Sequence, residues 1–260
     1  MTGLALLLGV AAVLVAAARR HRRWSPARTA AGLGGLAVLG VAFGSGLEER
    51  SAQLLSAHML QHGLVGLVAA PLLVAAAPVR LALGALPRGP GRSLARLLHR
   101  PWLRVLAHPL TGLALFVAVL AIVHVPSVFE AALRGSFLHG VEHAALLWSA
   151  IALWAPLVGA DPLPHHAGMV ARVGVLIAAM TAMAALGAIL AAAHGIVYPS
   201  YAAPTIELRH DPLQDQALAG GIMWIGGMVV VLPALLALAW GALAREERRQ
   251  RAREAVGGGR

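Results

Sequence analysis

The amino-acid sequence predicts an all-α integral membrane protein, a bundle of seven transmembrane helices with its N-terminus outside and its C-terminus in the cytoplasm. Hydrophobic residues make up 59% of its 260 residues and charged residues only 12%, about half the share in soluble domains. Seven apolar stretches approach or exceed the length that a helix needs to cross a bilayer. All 21 basic residues are arginines, and most of them flank these stretches. This composition excludes a soluble enzyme, a disordered protein and a free nucleic-acid-binding domain.

The apolar stretches cover more than half of the chain and only loops remain between them, so we expect residues 1–244 to form one transmembrane domain, followed by a charged cytoplasmic tail over residues 245–260. The predicted spans are Thr2–Ala18, Ala30–Leu47, Leu54–Val79, Leu110–Val125, Phe137–Val158, Val170–Ala193 and Gln216–Ala244. Pro71 and Pro78 are expected to kink or end the third span. Close helix packing is expected at small residues of the second and seventh spans, namely Gly40, Gly44, Gly220, Gly221, Gly226 and Gly227.

The distribution of arginines predicts the orientation of the chain. A signal peptide carries its positive charges before its apolar stretch, whereas Arg19 and Arg20 follow the first span, so we expect a retained helix. With the N-terminus outside, 18 arginines fall on the inner side, and Arg50, Arg134 and Arg209 are the three on the outer side. The positive-inside rule favours this arrangement.

The longest inner connection, residues 80–109, carries a regular arginine pattern. Every fourth residue is basic, at Arg88, Arg92, Arg96, Arg100 and Arg104. Leucines between them predict an amphipathic helix on the membrane surface, although ordinary positive-inside charge explains the pattern equally well. The formal net charge of +10 therefore indicates membrane lipids as partners and not nucleic acid, because no soluble basic domain is present.

Histidines dominate the candidate metal ligands of this chain. There is no cysteine, which excludes disulfides, iron–sulfur clusters, thiolate metal sites and covalently attached c-type haem. The topology places seven of the 12 histidines on the outer side: His58, His62, His124, His139, His143, His194 and His210. We interpret His210 as an ordinary residue of the membrane interface and the inner His165 and His166 as loop residues, and we rank His194 below the paired histidines.

Two histidine pairs have the spacing i, i+4: His58 and His62 in HMLQH, and His139 and His143 in HGVEH. On a helix this spacing turns by about 40° and rises by about 6 Å, so both imidazoles of a pair face one way and can share a metal. Polar groups inside membrane spans are costly and tend to mark functional sites. The predicted ligands of one outer metal site are His58, His62, His124, His139 and His143, with Met59 as a further candidate.

Four polar residues accompany these ligands. Gln61 and Glu142 lie inside the two pairs, where they are expected to orient imidazoles or to attract a cation. Asp215 and Gln216 open the seventh span. Asp215 either caps the start of that helix or attracts a cation to the site.

The residue types leave the metal open. Imidazole without thiolate suits zinc, copper, nickel or haem iron, and an added thioether favours Cu(I). A b-type haem remains an alternative, although one i, i+4 pair cannot bind both faces of one haem. A metal transporter is a third alternative, but the inner halves of the spans are nearly all Ala, Leu, Val and Gly and provide no polar path.

Three segments of the chain resemble a known family. The stretches HMLQHGLVGLVAAPLLVAAAP, HVPSVFEAALRGSFLHGVEHAALLW and DPLQDQALAGGIMW resemble the CtaG-type assembly factors of caa-type cytochrome c oxidase, a family of seven-span membrane proteins. The similarity runs from about Leu54 to about Trp240. The matching positions are His58, Gln61, His62, His124, His139, Glu142, His143, Asp215, Gln216, Met223 and Trp224. Gly63 departs from the family pattern, in which many relatives have Met at this position.

The resemblance implies a multi-pass protein of the bacterial plasma membrane that is needed to mature cytochrome c oxidase. Oxidase subunits would be its partners and copper its cargo, handled for an oxidase copper centre. Because transfer would proceed by ligand exchange, we expect no enzymatic activity. A role in holding an oxidase subunit during assembly without a metal remains open.

Overall fold

A computed structural model describes residues 2–21, 24–164 and 167–257, and these are helical and contain no β-strand. Six helices are long and apolar enough to cross a membrane, or seven when one bent pair is counted as a single span. This confirms the predicted all-α membrane fold, while the orientation in the membrane remains a prediction. His165 and His166 lie outside the described residues.

The helices follow one another along the chain with short connections. The first part of the chain contains α1 (Thr2–Arg20), α2 (Pro26–Gly44), α3 (Gly46–Ser51), α4 (Leu55–Gly63), a π-helical segment (Leu64–Ala69), α5 (Ala70–Ala75), α6 (Pro78–Ala85), α7 (Arg88–Leu98) and α8 (Pro101–Leu106). The second part contains α9 (Pro109–Val123), α10 (Pro126–Leu133), α11 (Ser136–Val158), α12 (Met169–Ala192), a 3-10 turn (Pro199–Tyr201), α13 (Ala202–Glu207) and α14 (Pro212–Gly257).

The helical geometry of the third predicted span changes near each of its two prolines. Pro71 has no N–H to offer to the preceding turn, and the helix widens to π geometry just before it. The carbonyl of Gly66, which this widening leaves without a backbone donor, accepts a hydrogen bond of 3.2 Å from Trp154 Nε1. The helix ends before Pro78, where Ala77 adopts a left-handed backbone conformation with φ of 52°. The predicted end of the helix is confirmed at Pro78, whereas the helix continues through Pro71 and a kink there stays a prediction.

The fourth predicted span is bent at His124. Helices α9 and α10 meet at an angle of 74°, and together they form the bent pair counted above as one span. Because a residue before proline disfavours the helical conformation, Val125 is extended and the chain restarts as a helix at Pro126. The bend turns Phe129 back into the protein, where its side chain is buried.

Helices α12 and α14 approach each other closely at two glycines. A Cβ at Gly187 would lie 2.5 Å from the Gly220 carbonyl oxygen, and a Cβ at Gly220 would lie 2.7 Å from the Ala191 nitrogen. Close packing is therefore confirmed at Gly220, and Gly40 and Gly227 make ordinary contacts. Among described residues nothing lies within 4 Å of a Cβ built at Gly44, Gly221 or Gly226. The prediction that these three glycines pack closely against another helix of the same chain was therefore wrong.

The basic connection is helical, as its periodicity predicts. Its five regularly spaced arginines lie on α7 and α8 or at the junction between them, and all are exposed. Leu98 of the same segment is buried against the protein. Contact of these arginines with anionic lipid remains a prediction.

Candidate metal centre

Helices α4 and α11 bring the two histidine pairs together. The ring centroids of His58 and His62 are 4.3 Å apart, and those of His139 and His143 are 4.4 Å apart. Each pair therefore lies on one face of its helix. The pairs also face each other across the bundle, with the rings of His62 and His143 centred 5.1 Å apart.

Two overlapping groups of these side chains have the geometry of a metal site. One ring nitrogen from each of His58, His62 and His143 lies within 4.8 Å of the others, and all three residues are buried. His139, Glu142 and His143 form a second group that meets the same criterion. We refer to His58, His62, His139, Glu142 and His143 as the histidine cluster.

Hydrogen bonding defines which nitrogen of His58 faces the cluster. Burial raises the pKa of Tyr201 above its ordinary value of 10.0, so the phenol keeps its proton. The Tyr201 hydroxyl donates this proton to the Ser51 carbonyl at 2.8 Å. It therefore accepts a hydrogen bond from His58 Nδ1, 3.0 Å away. Neutral His58 then carries a free lone pair on Nε2, which has no hydrogen-bond partner among the described residues.

His143 faces two acceptors at once. Its Nδ1 lies 3.0 Å from the His139 carbonyl, and its Nε2 lies 3.2 Å from Gln61 Oε1. The Gln61 amide nitrogen donates to the Ala42 carbonyl at 2.8 Å and to the Glu48 carboxylate, so the amide oxygen must point at His143. A neutral imidazole has one N–H and satisfies only one acceptor. A cation at Nε2 would satisfy both the His143 lone pair and the Gln61 oxygen.

Glu142 lies between the imidazoles of α4 without a hydrogen bond. Its Oε1 is 3.7 Å from His58 Nε2 and 3.6 Å from His62 Nε2. These separations exceed hydrogen-bond length, but two ligands that each lie about 2.0–2.1 Å from one ion are separated by about 3.3–3.6 Å at angles of about 110–120°. Both Glu142 oxygens and both His62 nitrogens lack partners among the described residues. A buried carboxylate is costly without a cation, so this geometry fits a metal ion.

His139, His124 and Met59 occupy the margins of the cluster. The His139 side chain is 23% exposed, with Nδ1 3.7 Å from Glu142 Oε2 and Nε2 3.7 Å from Glu48 Oε1. His124 Nδ1 contacts the Leu120 carbonyl at 2.8 Å, which leaves its Nε2 free, and its ring is centred 6.0 Å from that of His62. Met59 is fully buried, and it lies on α4 next to His58.

Asp215 and Gln216 hold backbone segments next to the site. The Asp215 carboxylate accepts hydrogen bonds from Leu55 N at 2.7 Å, from Ser56 N at 3.3 Å and from the Ser56 hydroxyl. It therefore caps α4, the helix that carries His58 and His62, in addition to lying in the first turn of α14. Gln216 accepts from Val197 N at 2.8 Å and donates to the Gly195 carbonyl at 3.1 Å.

The variant Asp215→Asn should unfold more easily, because the amide keeps one acceptor but loses the charge that binds three donors. We expect a loss of about 1 to 2 kcal/mol in unfolding free energy. Chemical denaturation in detergent measures it. Asp211→Asn is the matched control, because Asp211 is exposed and asparagine caps a helix equally well. Equal stability of both variants would contradict the capping role.

Two residues of the site were not predicted from the sequence. Tyr201 orients His58 from a loop 143 positions away, and no local pattern signals that contact. Glu48 is 41% exposed and links the cluster to the surface through His139 and Gln61. The acidic pair Glu48 and Glu49 on the predicted outer side was the available signal.

Glu48→Gln should slow metal uptake a few-fold without changing the amount bound, because charges at the rim of a site act mainly on the association rate. The amide retains an oxygen that can accept the hydrogen bond of Gln61. Stopped-flow uptake at several salt concentrations measures the effect, which should shrink as salt rises. Glu49→Gln, on the exposed neighbour, should leave the rate unchanged. Identical rates for the two variants would contradict this access route.

The sequence of the chain is similar to those of known proteins. The family model described as cytochrome c oxidase caa3 assembly factor matches residues 10–245. Uncharacterized proteins of Mycobacterium bovis and Mycobacterium tuberculosis are each 32% identical over 262 residues, covering 97% of this chain and 39% of each relative. One of Mycobacterium leprae is 31% identical over 267 residues, covering 97% of this chain and 40% of the relative. The chain thus spans about two fifths of these relatives, and no solved structure matches it.

Proposed function

Because the chain belongs to the family of cytochrome c oxidase caa3 assembly factors, we propose that it binds copper at the histidine cluster and delivers it to an oxidase copper centre. Its apolar helices and its mycobacterial relatives make it a multi-pass protein of the bacterial plasma membrane. On the predicted orientation the cluster lies toward the outer surface. Copper is the cargo of the protein in this proposal, and the oxidase subunit is the acceptor.

One observation carries the proposal: unpaired imidazole nitrogens of His58 and His62 lie 3.6–3.7 Å from an unpaired carboxylate oxygen of Glu142 in a buried site. Buried polar atoms are almost always hydrogen-bonded, so a group of unsatisfied ones that converge on one point favours a bound ion. Imidazole nitrogens suit copper. His58, His62 and His143 are the proposed ligands, and Glu142 balances the charge of the ion.

The rim of the cluster suggests how copper enters and leaves. His139 contacts both Glu142 and the half-exposed Glu48, so it connects the buried ligands with the surface. An ion can therefore exchange one ligand at a time between the inner imidazoles and His139. Ligand exchange breaks no covalent bond of a substrate, which is consistent with an assembly factor that is not an enzyme.

The geometry favours copper over the two alternatives. A b-type haem needs two imidazoles on opposite faces of a porphyrin, whereas the rings of His58, His62 and His143 are centred only 4.3–5.7 Å apart with no porphyrin-sized gap between them. A metal transporter needs polar groups along the whole path. The two metal-ligand groups found among the described residues both belong to the one cluster.

The copper content of the oxidase tests the proposal in cells. An oxidase isolated from a strain that lacks the gene should contain haem but lack the copper of the centre that is served, and the wild-type gene should restore it. A His58→Ala/His62→Ala gene should not restore it, whereas His194→Ala/His210→Ala, which removes two exposed histidines, should. An oxidase with full copper in the deletion strain would overturn copper delivery.

A further inference from the structure

A small cavity adjoins the histidine cluster, and three methionines are among the residues that line it. Its volume is about 30 Å³, and Met59, Met183 and Met223 contribute to its wall together with His62 and His124. The three methionines come from α4, α12 and α14, far apart in the sequence, and all are buried. The chain has seven methionines, so nearly half of them meet at this point.

The lining of this cavity suits a soft metal ion better than water. The other residues that line it are apolar or glycine, among them Leu67, Phe116 and Leu120. A volume of about 30 Å³ holds one water molecule or one ion; a buried water typically makes about three hydrogen bonds, and only the two imidazoles in this lining are good partners for it. Thioether sulfurs are weak acceptors. Soft sulfur and imidazole ligands without a carboxylate are instead the ligands that select Cu(I).

The two imidazoles that border the cavity are unsatisfied. His124 Nε2 has no hydrogen-bond partner among the described residues, and neither ring nitrogen of His62 has one. The ring centroids of His62 and His124 are 6.0 Å apart. Two imidazoles bound to one ion at about 2.0 Å have centroids about 5 to 6 Å apart, and the larger value corresponds to a wide angle at the metal. The pair is thus placed to bind one ion from both sides.

We propose that this cavity is a second metal site, selective for Cu(I), with thioether ligands from Met59, Met183 and Met223 and imidazole ligands from His62 and His124. It differs from the histidine cluster in its chemistry, because the cluster as defined above consists of four imidazoles and the Glu142 carboxylate, whereas the cavity adds methionines. His62 belongs to both sites, and it is the histidine there with both ring nitrogens unsatisfied. It therefore connects the cluster with the cavity.

X-ray absorption at the copper edge tests this site directly. The full chain in detergent is loaded with Cu(I) under anaerobic conditions, and the spectrum should show metal–sulfur scattering at a longer distance than metal–nitrogen scattering. Met59→Leu/Met183→Leu/Met223→Leu should lose the sulfur signal and bind less Cu(I). Its Zn(II) binding should be unchanged, because zinc is held by the cluster.

The matched control is Met169→Leu/Met180→Leu/Met228→Leu, which replaces three methionines that do not line the cavity and should keep the sulfur signal. Copper bound by nitrogen and oxygen alone in the wild-type chain would overturn the thioether site and leave the proposed function standing. Failure to bind any copper would overturn both. If the triple cavity variant does not fold, the spectra of the wild-type chain and of the control variant still show whether sulfur binds the copper.

Discussion

Replacing His58 and His62 with alanine together should lower the affinity of the chain for copper by at least about a hundredfold. Loss of a single group that merely orients a ligand typically costs 10- to 100-fold in metal affinity, and this variant removes two of three buried imidazoles that converge within 4.8 Å. Glu142 would remain as a buried carboxylate with no imidazole of α4 beside it. Competition titration against a chelator of known affinity measures the change.

The control for this variant is His194→Ala/His210→Ala. Both histidines are exposed on the predicted outer side, so their loss removes the same number of imidazoles without touching the cluster. The control should bind copper like the wild-type chain. If both double variants lost copper equally, the ion would be held by surface histidines, and the assignment of His58 and His62 as ligands would be wrong.

Gly220→Val should destabilise the chain by more than about 3 kcal/mol and separate α12 from α14. Overpacking a core typically costs 1 to 3 kcal/mol when side chains can move aside. At Gly220 the obstacles are the Ala191 nitrogen at 2.7 Å and the Ala191 Cβ at 2.9 Å from the new Cβ, and a backbone atom cannot rotate away. Because α14 carries Asp215 and Met223, the displacement should also weaken metal binding. Denaturation in detergent measures the loss.

Gly221→Val is the matched control, one residue further along the same helix. A Cβ there meets nothing within 4 Å among the described residues, so the variant should stay within about 0.5 kcal/mol of wild type. Both variants replace glycine with valine in the same helix, so the change in helix propensity is the same for both and cancels when their stabilities are compared. Equal stability of Gly220→Val and Gly221→Val would show that α12 and α14 do not pack at these glycines.

Local periodicity was enough to predict the helices and the two histidine faces. Apolar stretches of spanning length predicted the bundle, and the i, i+4 spacing predicted that His58 faces the same way as His62, as their 4.3 Å ring separation confirms. Pro78 predicted the end of the helix before it, because proline disfavours the helical conformation of the preceding residue. Each of these effects is determined within a few residues of the chain.

Contacts between distant segments could not be predicted in this way. Whether Gly220 or Gly221 meets another helix depends on the rotation of α14 against α12, and both glycines look the same in the sequence. Tyr201 orients His58 and Asp215 caps α4 across more than 140 residues. The meeting of Met59, Met183 and Met223 at one cavity likewise depends on how three helices pack.

Copper binding by the histidine cluster is tested by the metal content of the purified full chain, together with an absorption spectrum of the same sample. The chain is expressed with added copper, purified in detergent and analysed by elemental mass spectrometry. If the histidine cluster binds copper, the sample should contain at least one copper per chain and show no Soret band. The variant His58→Ala/His62→Ala should then contain only background copper. A chain that remains free of copper after loading, or that carries haem instead, would contradict the account.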